Sequence, residues 1–514
     1  MPPTPPTTTP PSLLRRPGCW VTFLALVPLL IGGLYLTENI VGARRLARVT
    51  ADLAAGGIEL DPHKITPTRP PDDENFFATP FLAAIGAGSA HDPGMQAVRR
   101  MEKWEMISRI EPLHSAKPTD WTAVRDAIAA KDKQAGITPT DRPIADLLVS
   151  LDRDLTPIAA ELTAALARPK SRLVPDFYDE LRAGKDSGNL DQSWIHDVRT
   201  LACALALRGR LEIEAGNPRS VAETVLILLR LAEGVETDGA TLGLLVANSV
   251  TRQAGLIAWL AADRRVLPRQ VWVDWARAFS RPRPLELLPD VVRGEMITLQ
   301  HGALRVRADR GSLFPGSFNT ATLSYNPPDP WVQVAAQFIP RGWFDMNEAH
   351  ALQSLSELIR HFEKPPSPDY FGRNAMETWI RPKIEPAGWL HHHLFARSCL
   401  GLYPSIGSAA ASTQSLCRLA EVACALEILF RDRQGYPESL DALVPEFLPA
   451  APVDFDARPI RYAQDPANGR YKIWSIGEDG VDDGGVEKME NPRPKKSPRR
   501  WSEPVGDWVW HYGR

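Results

Sequence analysis

The sequence has few cysteines and lacks the short motifs that mark common enzyme classes. Its five cysteines include no Cys-x-x-Cys pair. Cys417 and Cys424 are separated by roughly 10 Å of helical rise, which is too far for them to bridge each other. Neither Gly-x-Ser-x-Gly nor Gly-x-x-x-x-Gly-Lys-Ser/Thr occurs, which argues against a nucleophile elbow and a P-loop. No catalytic residue can therefore be identified from these motifs.

An excess of positive charge is also missing. The formal net charge is −3 and the sequence pI is near 6.4. A general nucleic-acid binder normally carries a basic face, so no nucleic-acid partner is expected. A run rich in Lys and Arg lies in residues 493–500, just before a tryptophan-rich end. This run indicates either contact with anionic lipid or nucleic acid, or a solvated linker before a terminal strand that packs its tryptophans.

Two further patterns fall short of a site. The run His391–His393 has no Glu or Asp at the His-Glu-x-x-His spacing of zinc peptidases, and neighbouring helical residues point in different directions. It is typical of a surface or interface histidine run. Gly86 and Gly88 lack the third glycine of a dinucleotide fingerprint. No cofactor is therefore predicted from either pattern.

What the sequence does contain is one long apolar run near its start, from Cys19 to Leu36, without a charged side chain. As a helix it covers roughly 27 Å, close to the ~30 Å hydrocarbon core of a bilayer. Trp20 and Tyr35 lie near its two ends, where aromatic rings favour the membrane interface. The run predicts a transmembrane anchor over residues 18–38, with membrane lipid as a partner of residues 19–36.

Two other interpretations of this run stay open. One is a buried core helix, and the other is a cleaved signal peptide with Val41-Gly42-Ala43 as the cleavage site. Arginines lie on both sides of the run, so their count does not fix its direction. The short head before it favours a cytoplasmic N-terminus, with the bulk of the chain outside a bacterial cytoplasmic membrane.

Beyond the anchor, the sequence predicts a mainly α protein with an irregular body of helical hairpins and a small α+β module containing a β-hairpin. Residues Val221, Val225, Leu228, Leu229 and Ala232 follow helical spacing and mark one apolar face. The expected segments are a disordered Pro/Thr-rich head at 1–17, the anchor, a juxtamembrane segment and connector at 39–120, the helical body at 121–365, a connecting segment at 366–411, the α+β module at 412–490 and a basic, Trp-rich tail at 491–514.

The C-terminal module carries the most specific pattern. A predicted helix is followed by a turn, two short strands and an acidic loop. The residues that define the pattern are Gly435, Tyr436, Pro437, Leu440, Leu443, Pro452, Asp454, Tyr462, Ser475, Gly477, Asp479 and Gly480. This order resembles the globular end of type II secretion major pseudopilins. Unlike in that family, the long helix is not continuous with the anchor, and the anchor lacks the prepilin glutamate. As a whole, the chain is similar to uncharacterised membrane-anchored bacterial proteins, which imply no activity.

The acidic loop of this module is a candidate metal site. The resemblance implies calcium binding there, and carboxylates with glycine spacers suit a hard cation. The candidate ligands are Glu478, Asp479, Asp482 and Asp483. An EF-hand is disfavoured because Val481 occupies its third position. The alternative is a solvated Asp/Gly turn without metal.

Three hypotheses about function follow. The first is a membrane-anchored, non-enzymatic scaffold or protein-interaction protein with protein partners. The second is a membrane-anchored hydrolase whose site is assembled from distant residues. The third is a component of a secretion or pilus-like apparatus.

Overall fold

The computed structural model divides into two compact units, each assembled from several stretches of chain. The first, here the anchor unit, comprises residues 1–58, 298–354 and 383–398; the second, the core unit, comprises residues 59–297, 355–382 and 399–514. Within these limits the structure describes residues 17–60, 68–87, 144–174, 193–236, 241–265, 267–308, 318–319, 324–325, 334, 337–364, 375–385, 392–465, 469–486 and 506–510.

The structure is mostly helical, as the sequence predicts. The α-helices are α1 (Pro17–Ala55), α2 (Pro80–Ala87), α3 (Ile144–Ala165), α4 (Ser193–Ala215), α5 (Pro218–Glu236), α6 (Thr241–Arg264), α7 (Arg269–Phe279), α8 (Leu288–Ala308), α9 (Arg341–Phe362), α10 (Arg381–Ile384), α11 (Leu394–Leu400) and α12 (Tyr403–Arg433). Short 3-10 helices cover Phe76–Ala78 and Leu440–Leu443, and a π-helix covers Met376–Ile380.

Helix α1 contains the predicted anchor. It is long and apolar enough to cross a membrane, and little of its apolar part is buried. Leu29 and Leu34 are 71% and 70% exposed. The helix does not end with the apolar run at Leu36 but continues to Ala55. The same helix therefore includes both the apolar run and a polar continuation.

The core unit is built from helical hairpins whose breaks the sequence marks. Helix α4 ends before Gly216, which has φ +71°, and α5 begins at Pro218, so glycine and proline occupy their usual positions at a helix end and a helix start. Helix α5 packs against α4 and α6, and α12 packs against α6 and α7. All five residues of the predicted α5 face are buried.

Aromatic side chains fill this core. Trp272 and Trp275 are almost completely buried in edge-to-face contact, with ring centroids 5.4 Å apart. Part of the connector after the anchor also packs into this core, since Phe76, Phe77 and Leu82 are buried in the same cluster. A Cβ on Gly234 of α5 would clash with the Phe77 ring, so this close approach requires glycine.

A three-stranded antiparallel sheet completes the core unit, with strands β3 (Arg461–Asp465), β4 (Arg470–Ser475) and β5 (Trp508–Trp510) in the order β3-β4-β5. Its first two strands are the predicted β-hairpin, with Tyr462 opposite Ile473. The third strand is the predicted terminal strand. Trp510 is buried and stacks on Trp259 of α6 at 5.4 Å, which fixes the sheet to the helices.

Some expectations differ from the structure in detail. The spacing of Leu242, Leu245 and Val246 predicts one apolar face on α6, but Leu242 is exposed and Leu244 is buried instead, because this helix is buried on most of its sides. The sequence pattern predicts that helix resumes at about Asp345, whereas α9 begins four residues earlier, at Arg341. The many Pro, Gly, Ser and Asn residues of 311–340 predict a long loop, and within it strands β1 (Phe318–Asn319) and β2 (Ser324–Tyr325) form a short pair.

Several predictions fall on residues outside the described ranges. They are the disordered head, Gly88 of the incomplete glycine motif, His391, the basic run at 493–500 and the start of the helical body at 121–143.

Candidate functional site

The acidic loop follows β4, and its aspartate side chains accept hydrogen bonds that hold it. The Oδ1 atom of Asp482 accepts from Trp474 Nε1 at 2.9 Å and from Gly484 N at 3.0 Å. These bonds, the tryptophan bond first, lower the pKa of the Asp482 carboxyl. Asp479 Oδ1 accepts from Val481 N at 3.0 Å. Two of the four predicted calcium ligands thus already accept bonds within the loop.

A residue beyond the predicted end of the module, Asp507, also holds this loop. The Oδ2 atom of Asp507 accepts from the backbone N–H groups of Asp483 at 3.0 Å, Gly485 at 2.7 Å and Val486 at 3.4 Å. Lys472 Nζ donates to Gly484 O at 2.7 Å. Sequence reasoning missed Asp507, because it lies in a segment that was assigned to the tail.

The described residues contain no group of three or more His, Cys, Asp or Glu side chains placed to hold a metal ion. Calcium binding by Glu478, Asp479, Asp482 and Asp483 stays a prediction.

A second polar site lies under the hairpin, around Asp454. Its Oδ1 accepts from Ser415 Oγ at 2.9 Å and Ser475 Oγ at 2.8 Å, and its Oδ2 accepts from Arg461 Nη1 at 2.8 Å. Burial raises the pKa of this carboxyl, and the bonds from Ser475, the backbone of Phe455 and Ser415 oppose that rise. Asp454 therefore joins α12, β3 and β4 through one carboxyl group.

The anchor unit contains the candidate site with the clearest geometry, where α1 meets the start of α9. The backbones approach so closely that a Cβ on Gly342 would lie 2.6 Å from Asn39 Cα and would clash with Glu38 O. A Cβ on Gly42 would in turn lie 2.6 Å from Gly342 Cα. Gly342 N donates to Asn39 Oδ1 at 2.7 Å. We call this contact the anchor junction; it consists of Glu38, Asn39, Gly42 and Gly342, with His392.

His392 joins the junction from a distant part of the chain. Its Nε2 lies 2.6 Å from Glu38 Oε1, and its ring lies 6.3 Å from that of Trp343. His392 has φ +55°, a left-handed conformation that is uncommon for a non-glycine residue and costs energy to hold. Asn347 fixes the next segment of chain, because its Oδ1 accepts from Leu394 N at 2.8 Å. The histidine run is therefore not free on the surface where the structure describes it.

The neighbouring histidine packs on the same helix. His393 stacks on His350 of α9, with ring centroids 4.3 Å apart and planes 14° apart. His350 Nε2 lies 3.0 Å from Lys383 O. Together His392 and His393 attach the segment before α11 to both α1 and α9, a role that no sequence spacing revealed.

A nearly buried charge cluster lies further along α9. Arg307 of α8 contacts Asp345 at 2.8 Å and also pairs with Glu348. The three side chains are only 11%, 7% and 4% exposed. Burial raises the pKa of Glu348 to about 7 although Arg307 opposes the rise. This carboxyl can therefore take up or release a proton near neutral pH.

Carboxyl groups with raised pKa values also lie in the core unit. Burial raises the pKa of Glu236, the last residue of α5, to about 8, and nearby Glu233 adds to the rise. Burial likewise raises the pKa of Glu421 in α12 to about 7. Burial raises the pKa of Cys417, and the charges of these two carboxyls raise it further. Cys417 therefore stays a thiol. The carboxyls of Glu236 and Glu421 therefore hold protons up to near-neutral pH. The Cys417 thiol is not activated as a nucleophile.

The close approach at the anchor junction predicts that Gly342→Ala destabilises the anchor unit. The added methyl must displace the backbone of α1, and overpacking of this kind costs about 1–3 kcal/mol. The measurement is thermal unfolding of the full chain in mild detergent, followed by circular dichroism.

Gly302→Ala is the matched control for this substitution. Gly302 is also helical and belongs to the anchor unit, and nothing lies within 4 Å of its Cβ position. There alanine is expected to stabilise the protein by up to about 1 kcal/mol. Equal melting temperatures for the two variants would contradict the close approach.

Comparison with known proteins identifies no relative: no protein-family model, curated protein or solved structure matches the chain.

Proposed function

We propose that this chain is a single-pass, membrane-anchored scaffold that holds a helical body and a C-terminal interaction module at a bacterial cytoplasmic membrane. The observation that carries the proposal is α1, a 39-residue helix whose apolar part remains largely exposed. Exposed leucines in water are unfavourable, and a lipid bilayer removes that cost. The proposal includes the bulk of the chain lying outside the cytoplasm, which the labelling experiment below tests.

The anchor junction supports an uncleaved anchor over a signal peptide. The Val41-Gly42-Ala43 sequence lies inside a continuous helix, and Gly42 is buried. Cleavage after Ala43 would remove Glu38 and Asn39, together with their bonds to His392 and Gly342. The anchor therefore has a structural role in the folded anchor unit.

The C-terminal loop supports a role in protein binding. Val481 and Val486 are each 53% exposed on a loop whose backbone Asp507 and Lys472 hold by hydrogen bonds. A rigid loop loses little conformational entropy when a partner binds. Apolar side chains displayed between carboxylates suit a protein partner with an apolar patch and a basic rim.

The anchor is tested with charges placed inside its apolar run. Leu26→Arg with Leu29→Arg is expected to move the full chain from the carbonate-resistant membrane fraction to the soluble or aggregated fraction. Each central arginine costs about 2.5–3.5 kcal/mol of insertion energy, whereas each apolar residue of the run contributes only about −0.3 to −0.6 kcal/mol. Both leucines are at least half exposed, so the change removes little packing.

The matched control is Ala51→Arg with Ala54→Arg, which has the same spacing on the same helix. Both alanines are exposed beyond the apolar run, and this variant should stay in the membrane fraction. If the variant with Leu26→Arg and Leu29→Arg also stays in the membrane fraction, the proposal that this run is the membrane anchor is wrong. In intact cells, a membrane-impermeant thiol reagent acting on Ala51→Cys would report the side on which the body lies.

Protein binding is tested by cross-linking in intact membranes, followed by purification of the full chain in mild detergent. Val481→Ser with Val486→Ser should lose the cross-linked partner by at least tenfold, because two exposed apolar contacts are removed. Val453→Ser is the control, since Val453 is 49% exposed elsewhere in the module. If the parent protein is recovered alone, the scaffold proposal fails.

A second candidate is a component of a secretion or pilus-like apparatus. Its support is the long helix α12 followed by the hairpin β3-β4, with β4 and β5 packed on α12, in the order that resembles the pseudopilin end. The same cross-linking distinguishes the two candidates. Partners belonging to such an apparatus would favour this second function.

A further inference from the structure

A small apolar and basic surface precedes α9 in the anchor unit. Phe338 is 71% exposed, as much as Leu29 within the apolar run, and Val334 is 52% exposed. Arg341, three residues after Phe338, is also exposed. Ile339, between Phe338 and Arg341, is only 5% exposed, so its side chain is packed inside the protein. We call Val334, Phe338 and Arg341 the Phe338 patch.

The position of this patch follows from the anchor junction. Gly342 contacts Glu38, Asn39 and Gly42 of α1. These residues lie about 3 to 9 Å beyond Leu36 along the helix axis, which is headgroup depth when the apolar run spans the hydrocarbon core. Phe338 precedes Gly342 by four residues, so it lies within about 14 Å of that level.

The surrounding charge matches a lipid headgroup region. Arg44 and Arg48 of α1 are exposed, as is Arg341. Glu38, the acidic residue closest to the apolar run, is paired with His392. Exposed aromatic and apolar side chains beside exposed arginines are typical of protein segments that lie in the membrane interface.

We infer that the Phe338 patch is a second membrane contact, in which Phe338 and Val334 enter the bilayer interface and Arg341 binds anionic lipid headgroups. The inference rests on the proposed anchoring of α1. With two contact points, α1 and the patch, the anchor unit has a fixed orientation on the bilayer, because a single helix alone leaves rotation about its axis free.

The test uses the full chain in vesicles of zwitterionic lipid, with or without added phosphatidylglycerol. A benzophenone amino acid replaces Phe338, and in separate proteins it replaces Leu34 as the positive control or Ala51 as the negative control. Mass spectrometry then measures covalent adducts with lipid after irradiation. We expect adducts at positions 34 and 338 and at least tenfold fewer at position 51.

The outcomes separate the inference from the anchoring proposal. Adducts at position 34 but not at 338 would overturn the second contact and leave the anchor intact. Absence of adducts at both positions would refute anchoring itself. Arg341→Gln should lower the yield at position 338 several-fold in anionic vesicles but not in zwitterionic ones; an equal yield in anionic vesicles would remove the headgroup role of Arg341.

Discussion

Asp454→Ala is expected to lower the free energy of unfolding by about 3–5 kcal/mol, the usual cost of breaking a buried ion pair by removing one partner. The Asp454 side chain is completely buried, and Arg461 beside it is 13% exposed. Its loss leaves a nearly buried guanidinium without its closest carboxylate, and it also removes the acceptor for Ser415 and Ser475. The hairpin should then separate from α12.

Tryptophan fluorescence during urea unfolding in mild detergent measures this change, since Trp474 and Trp510 lie in the affected sheet. Asp454→Asn should fall between the parent and the alanine variant, because one carbonyl oxygen still accepts hydrogen bonds. Asp441→Ala is the control: Asp441 is exposed in the same module and should change the unfolding energy by no more than about 0.5 kcal/mol. A loss below 1 kcal/mol in Asp454→Ala would refute the central role of this carboxyl.

Local patterns were sufficient for the elements of the fold. Helical spacing from Val221 to Ala232 gave the buried face of α5, and the Gly216–Pro218 break gave the hairpin between α4 and α5. Turn residues predicted the hairpin β3-β4. These features depend on neighbours within a few residues, so they can be read from sequence.

The contacts that connect these elements could not be read in the same way. Glu38 and His392 are separated by 354 residues, and neither belongs to a motif. Gly42 and Gly342 are ordinary glycines in sequence, yet their backbones touch. Asp507 holds the acidic loop from 21 or more residues away. Such pairs are determined by how helices pack, which residue spacing does not encode.

The division of the chain into two compact units also depends on contacts that residue spacing does not predict. The expected segments ran consecutively along the chain, whereas each compact unit combines three separate stretches. The anchor helix shares a unit with residues 298–354 and 383–398. The anchor prediction was therefore accurate about the apolar helix, but it ended at residue 38 and did not include Asn39 and Gly42, which contact Gly342 of that unit.

The pH dependence of stability is expected to reflect Glu236 most strongly. The unfolded carboxyl loses its proton near pH 4.5, whereas the folded one keeps it up to about pH 8. The folded state therefore binds more protons than the unfolded state between these values, so the free energy of unfolding falls as pH rises through this window. At about 1.4 kcal/mol per pH unit, the largest possible loss is about 5 kcal/mol. Glu236 is only partly buried, which makes the actual loss smaller.

Glu236→Gln removes this titration while keeping the shape of the protonated side chain. The variant should lie within about 1 kcal/mol of the parent at pH 5 and exceed its free energy of unfolding by about 2–4 kcal/mol at pH 8, because the parent must ionise a carboxyl beside Glu233 at the end of α5. Urea unfolding in mild detergent at both pH values measures the difference. Glu214→Gln, in the last turn of α4 and 44% exposed, should keep the pH slope of the parent. A Glu236→Gln slope equal to that of the parent would assign the pH dependence to other carboxyls, with Glu421 and Glu348 the next to replace, because burial holds their pKa values near 7.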